Sequence, residues 1–140
     1  MSHSPRFLIM KTLQRSLASL TTALALAAAA LVGPGCTQVQ VTPDTRGEYK
    51  FGELQVFEDR DFAAVHAAAL RGIKDLNLFQ TRDDRKVVEA ELNARDATDT
   101  LVVIKIKEVG KNRTSLKIRY GLNPNLPSAQ KLYEAIKKHL

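Results

Sequence analysis

Few residues of this 140-residue chain could do chemistry, and one is alone of its kind: Cys36, in LVGPGCTQ, residues 31–38. A thiol there could be buried in a core, could join another chain through a disulfide, or could accept a diacylglyceryl group and become the N-terminus of a lipid-anchored protein. The second candidate is His66, within two turns of Asp59 and Asp61. A general base needs a partner and a nucleophile within hydrogen-bond reach, and the spacing names neither. CxxC, HExxH and a glycine-rich phosphate loop are missing from the sequence, so no metal and no cofactor is expected. Asp83 and Asp84, set among Arg82, Arg85 and Lys86, read as a solvated turn. The third candidate is a set of cations, Lys105, Lys107, Lys117 and Arg119, at alternate positions of two strand-like runs. They could bind an anionic partner.

The context of Cys36 discriminates among its chemistries. Arg6, Lys11 and Arg15 precede SLASLTTALALAAAALV, an uncharged run from Ser16 to Val32, which is the pattern of a signal peptide. At about seventeen residues the run falls short of the roughly twenty that a permanent span needs. Gly33-Pro34-Gly35 then breaks it, so residues 1–35 are read as a lipoprotein-type signal whose true start could be Met10. Gly35 supplies the small residue that a signal peptidase requires before the cysteine, although Gly33 stands where leucine is usual. A core thiol fits poorly with the polar, proline-containing TQVQVTPDTRGEY that follows. A disulfide, or cleavage near Ala28 to Ala30, would leave an odd thiol in an oxidising compartment. Lipidation is the preferred reading, two or three acyl chains making a stable attachment. It implies an exported, membrane-anchored protein, and Thr37 in place of aspartate favours the periplasmic face of the outer membrane if the cell is Gram-negative.

What remains is one small domain, with residues 36–46 expected as a tether and 47–140 as the fold. Three of the 21 Lys and Arg residues lie in the signal, so the mature part carries 18 against 15 acids. That balance asks for no nucleic acid.

Hydrophobic periodicity supplies the elements. Tyr49 to Glu58 alternates as a strand. Phe62, Val65, Ala69, Ile73 and Leu76 form one helical stripe behind a capping aspartate in DRD, with Asn77 suited to the helix end. Leu78 to Arg82 enters a second strand with residues 83–86 as a turn, and Val87 to Ala94 forms the next. Thr100–Glu108 and Thr114–Gly121 form a hairpin about Gly110-Lys111-Asn112, Val109 facing Arg113 and Ile106, Ile104 and Val102 facing Leu116, Ile118 and Tyr120. Ser128 is placed to cap a last helix, with Leu132, Ile136 and Leu140 on its apolar face. The expected fold is α+β: an antiparallel sheet of about four to five strands with two amphipathic helices on one face, in the order β-α-β-β-β-β-α.

GELQVFEDRDFAAVHAAALRGIKDLNL, VVEAEL, LVVIKIK, TSLKIRYG and SAQKLYEAIKKHL together resemble a family of small bacterial lipoproteins known as domain of unknown function 3568. The resemblance runs from Gly47 to Leu140, with Asn77 in place of a common glycine and His66 in place of a large aromatic. It implies a lipoprotein signal and this order of elements, and no catalytic residues.

On the outward hairpin face the same register puts Lys105 opposite Lys117, a repulsive pair unless neutralised. A connection from Arg95 to Asp99 would place Glu89 opposite Lys105 and turn the face into a mixed charge ladder. Leu101 and Val103 share that face and hint at a partner or a covering loop. The expected function is therefore a non-enzymatic, lipid-anchored envelope domain contacting an envelope protein or anionic envelope polymer. The alternative is a small carrier holding an amphiphile between helices and sheet.

Overall fold

A computed structural model describes residues 37–123 and 125–140. They form seven antiparallel strands and two helices: β1 (Thr37–Thr42), β2 (Thr45–Lys50), β3 (Glu53–Glu58), α1 (Phe62–Asp75), β4 (Phe79–Arg85), β5 (Glu89–Arg95), β6 (Leu101–Gly110), β7 (Arg113–Tyr120) and α2 (Leu126–Lys137). The strands make one sheet in the order β1-β2-β3-β7-β6-β5-β4. The sheet is thus larger than the four to five strands expected, and the difference lies at the N-terminal end.

Two local features account for it. Residues 37–42, read as tether, alternate Val39 and Val41 toward the helices, and Val41 is buried against Gly47. A Cβ at Gly47 would lie 2.7 Å from Val41 Cγ2, so the missing side chain is what lets β1 close on β2. The segment from Tyr49 to Glu58, read as one strand, is a hairpin. Its turn is Phe51-Gly52, both at positive φ (50° and 79°), as a two-residue turn of the type I′ class requires.

The helices follow from their apolar stripes. Asp61 caps α1, its carboxylate accepting from Ala64 N at 2.7 Å. Asn77, at φ 54°, ends it; Asn77 N donates to Lys74 O and Leu78 N to Ile73 O, the paired closure of a helix that finishes in the left-handed region. For α2 the cap is Asn125, accepting from Ser128 N at 3.0 Å, and not Ser128. Pro127 then falls in the first turn, where its missing N–H costs nothing. The two helices touch where Gly72 of α1 meets Ile136 of α2.

Between helices and sheet, Leu54, Val56, Leu92, Val102, Ile104, Ile106, Leu116 and Ile118 are all 0–1% exposed against Val65, Ala69, Ile73, Leu132 and Ile136. Side-chain alternation puts the neighbours of these strand residues on the opposite, outer face. One buried acid interrupts the apolar layer: Glu58 accepts from Tyr133 Oη and, at 2.7 Å, from Lys137 Nζ.

The hairpin of β6 and β7 pairs as the spacing predicts, with Val102, Ile104 and Ile106 opposite Tyr120, Ile118 and Leu116. Its turn is tighter than expected. Gly110, not Val109, faces Arg113, and a bulge between Glu108 and Gly110 turns Val109 out. Strand β4 extends through Arg85, so Asp83 and Asp84 belong to an edge strand and not to a turn.

Candidate functional site

The outer face of β3, β7, β6 and β5 gathers the cations picked out by spacing. Lys105 and Lys117 are register partners, as expected, while Lys107 faces Ser115 and Arg119 faces Val103. The acids arrive in a different register. Glu91 faces Lys105 and Glu89 faces Lys107, two residues away from the expected pairing. The cause is Asp96, whose Oδ1 accepts from Thr98 N (2.8 Å), Thr98 Oγ1 (2.7 Å) and Thr100 N (3.0 Å), while Asp99 takes φ 64°. This loop places Arg95 opposite Leu101. An even shift keeps every side chain on its face, so the charge ladder survives with different rungs.

Asp96 also accepts from Tyr120 Oη at 3.0 Å. The Thr98 hydroxyl and the Thr100 amide hold its carboxyl down to about 2, while burial and then the Asp96 bond push the Tyr120 phenol up to about 12. The signs define a window. A depressed acid stabilises above its unfolded value near 4 and loses this as pH falls toward 2; a raised phenol stabilises below its unfolded value near 10 and loses this as pH rises toward 12. Asp96→Asn is therefore expected to flatten the acid limb of a stability–pH profile between about pH 4 and 2, read from thermal midpoints across that range.

Lys105 finds a further acid in Glu53, Nζ to Oε1 3.7 Å, and Lys86 pairs with Glu89 at 2.7 Å. That contact raises Lys86 and lowers Glu89 from their ordinary values. Glu53, Glu89, Lys105 and Lys107 share the outer face of the sheet. A cavity of about 440 Å³ lies over it, lined by Gln55, Glu89, Glu91, Lys105, Lys107 and Lys117 among others. Arg119 lies outside that lining and donates to Phe51 O at 3.4 Å. With Lys86 and Asp84 included, four cations meet three carboxylates. The cavity is a nearly balanced polar surface, bordered by the half-exposed Val109.

His66 is buried at 4% exposure, its Nε2 3.1 Å from Asp83 Oδ1 and its ring 6.1 Å from that of Phe62. It does lie beside an acid, which the spacing did not foresee, but a ring so enclosed presents no face to a substrate. The contact ties α1 to the otherwise exposed edge strand β4, aided by Arg85 over the Phe62 ring at 5.5 Å. Asp83→Ala is expected to speed amide exchange within Gln80–Arg85 while lowering global stability by about 1 kcal/mol, measured by native-state hydrogen exchange. Among the described residues there is no group of three or more His, Cys, Asp or Glu poised for a metal. Nor is any described helix long and apolar enough to cross a membrane. Cys36 lies outside the described residues.

A seven-stranded antiparallel sheet, covered on one face by a helix pair and presenting a mixed-charge hollow on the other, defines a two-layer α+β domain. Within that class the chain belongs to the family described as "Protein of unknown function (DUF3568)", whose model matches residues 18–139. No curated protein matches it.

Proposed function

We propose that the chain is a non-enzymatic, lipid-anchored protein of the cell envelope: residues 1–35 direct export, Cys36 carries the acyl chains, and the domain presents its outer sheet face to another envelope component. The observation that carries this reading is the apolar run ending in Gly35-Cys36. Three structural features support it. The first described strand opens at Thr37, one residue after the proposed attachment position. The interlayer is filled, with facing side chains 0–1% exposed, which favours a contact surface over a carrier of an amphiphile. The outer face mixes charge with exposed apolar side chains, Leu101 at one end of β6 and Val109 at the other, as the polar rim and apolar spots of a transient interface do. Its balanced charge favours a protein over an anionic polymer. On this reading, if the cell is Gram-negative, the anchor sits in the outer membrane with the domain in the periplasm.

The test is the intact mass of membrane-extracted protein beside its Cys36→Ser variant. The wild type is expected to begin at residue 36 with acyl mass, and the variant to leave the membrane fraction. A species beginning near residue 31 without acyl mass would sink the anchoring claim. In-cell crosslinking with and without Glu91→Lys then addresses the face; adducts of equal yield from both would count against it.

A further inference from the structure

One end of the sheet combines exposed apolar side chains with the start of the described chain. Thr37 opens β1 opposite Tyr49, and two residues beyond Tyr49 the β2–β3 turn exposes 86% of Phe51. Arg119 Nη1 joins that turn to β7 through Phe51 O, and Leu122, 86% exposed, follows β7. Gly121 N donates to Leu101 O, Leu101 faces Arg95, and Arg95 faces Phe79, which is 74% exposed. Phe51, Leu122, Leu101 and Phe79 therefore line the same end of adjacent strands, along roughly 20–25 Å at the usual strand spacing. Thr37, the residue that follows Cys36 in the chain, lies on the order of 10 Å from Phe51 along this ladder.

Phe51 is the telling member. Its φ is 50°, a region unfavourable for a bulky aromatic, and the first central position of such a turn ordinarily takes Asn, Asp or Gly. The ring gains no burial in exchange. Lys50 Nζ lies 5.3 Å over it, so an apolar body and a charged head stand side by side, the arrangement that suits the level of lipid headgroups. A strained position offset only by an exposed cation contact is the mark of a residue kept for contact.

We propose that this end of the sheet seats on the bilayer that holds the anchor, with Phe51 and Leu122 entering the headgroup region and the strands standing away from the surface. The proposal rests on the lipid-anchor reading of Cys36. It takes a lipid surface as occupant because the acyl chains would bring this end, and not the opposite one, against the membrane. The charges here, Lys50, Arg95 and Arg119 beside Asp96 and Asp99, are mixed, so seating is driven by apolar contact and persists on uncharged vesicles.

The chain has no tryptophan, which makes a single introduced indole a clean probe. Full-length protein carrying Phe51→Trp, Leu122→Trp or, at the far end, Val109→Trp is extracted and reconstituted into phosphatidylcholine vesicles with and without brominated acyl chains. The intact mass of each sample is recorded. Phe51→Trp and Leu122→Trp should emit to the blue of Val109→Trp and lose most of their intensity to bromolipid, while Val109→Trp loses little. Equal emission and quenching at both ends, in protein whose mass shows acylation, overturns the seating alone. A blue shift without bromolipid quenching overturns it in favour of a protein contact. Protein without acyl mass overturns the anchor and the seating together. Leu122→Trp decides the matter if Phe51→Trp fails to fold.

Discussion

Gly72→Val is expected to lower the melting midpoint by roughly 16–32 °C. A Cβ built on Gly72 would stand 2.6 Å from Ile136 Cγ1, 2.9 Å from Ile136 N and 3.1 Å from Ile136 Cα. Two of those three atoms are backbone, so no rotamer change relieves the contact, and α1 and α2 must separate. Alanine here gains about 1 kcal/mol of helix propensity, against overpacking of typically 1–3 kcal/mol where neighbours can yield. Because these cannot, Gly72→Ala is placed at a net loss of about 2 kcal/mol and Gly72→Val at about 4. Domains of this size hold about 5–15 kcal/mol in all, and each kcal/mol lost lowers the melting midpoint by roughly 4–8 °C. Thermal unfolding followed by circular dichroism would measure both. Gly110→Ala, whose Cβ would meet nothing nearer than Arg113 Cβ at 3.9 Å, is the matched control and should melt within a few tenths of a kcal/mol of wild type.

The second large effect belongs to the buried acid. Glu58 is 4% exposed and Tyr133 fully buried, so the Tyr133 hydroxyl and the Glu58 carboxylate satisfy each other where water does not reach. Burial first, and the Glu58 bond second, raise the Tyr133 phenol well above its ordinary value, which keeps it a donor throughout the physiological range. Tyr133→Phe removes the donor and leaves a desolvated carboxylate oxygen, a loss expected at about 2–3 kcal/mol for a bond to a charged group. Adding Glu58→Gln should recover part of it, since an amide is cheaper to strand than a carboxylate. A double-mutant cycle in urea measures the coupling; additive losses would show that the pair does not act as a unit.

The sequence made some of this molecule plain. Helix α1 was legible because Phe62, Val65, Ala69 and Ile73 repeat at helical spacing, behind Asp61 and ahead of Asn77 in its left-handed turn. The β6–β7 hairpin was legible because a period of two admits one register with every large side chain inward. Strand β1 was not, since only Val39 and Val41 distinguish TQVQVT from a polar linker, and Gly47, the residue that receives Val41, looks like a breaker. Gly52 inside Tyr49–Glu58 was the available sign of a hairpin. The cations of the outer face were visible as an alternation, but their acidic partners depended on how Asp96 folds the next loop. His66 and Asp83 are 17 residues apart on different elements, and no periodicity links them.

The attachment of β1 has a mechanical consequence. Strand β1 pairs only with β2, from Thr37 opposite Tyr49 to Thr42 opposite Thr45, and Gln130 of α2 donates to its outer edge at Gln40 O, 2.8 Å. A pull on residue 36 directed along the strand axis loads these bonds in parallel, in shear, and drags Val41 out of its notch at Gly47, so the domain resists as a unit. A sideways pull breaks them one after another. Once freed, residues 37–43, most of them already extended as a strand, would add only a few ångströms along the axis but could swing away from β2 about the turn that follows Thr42, a hinge released by force at the edge of the sheet.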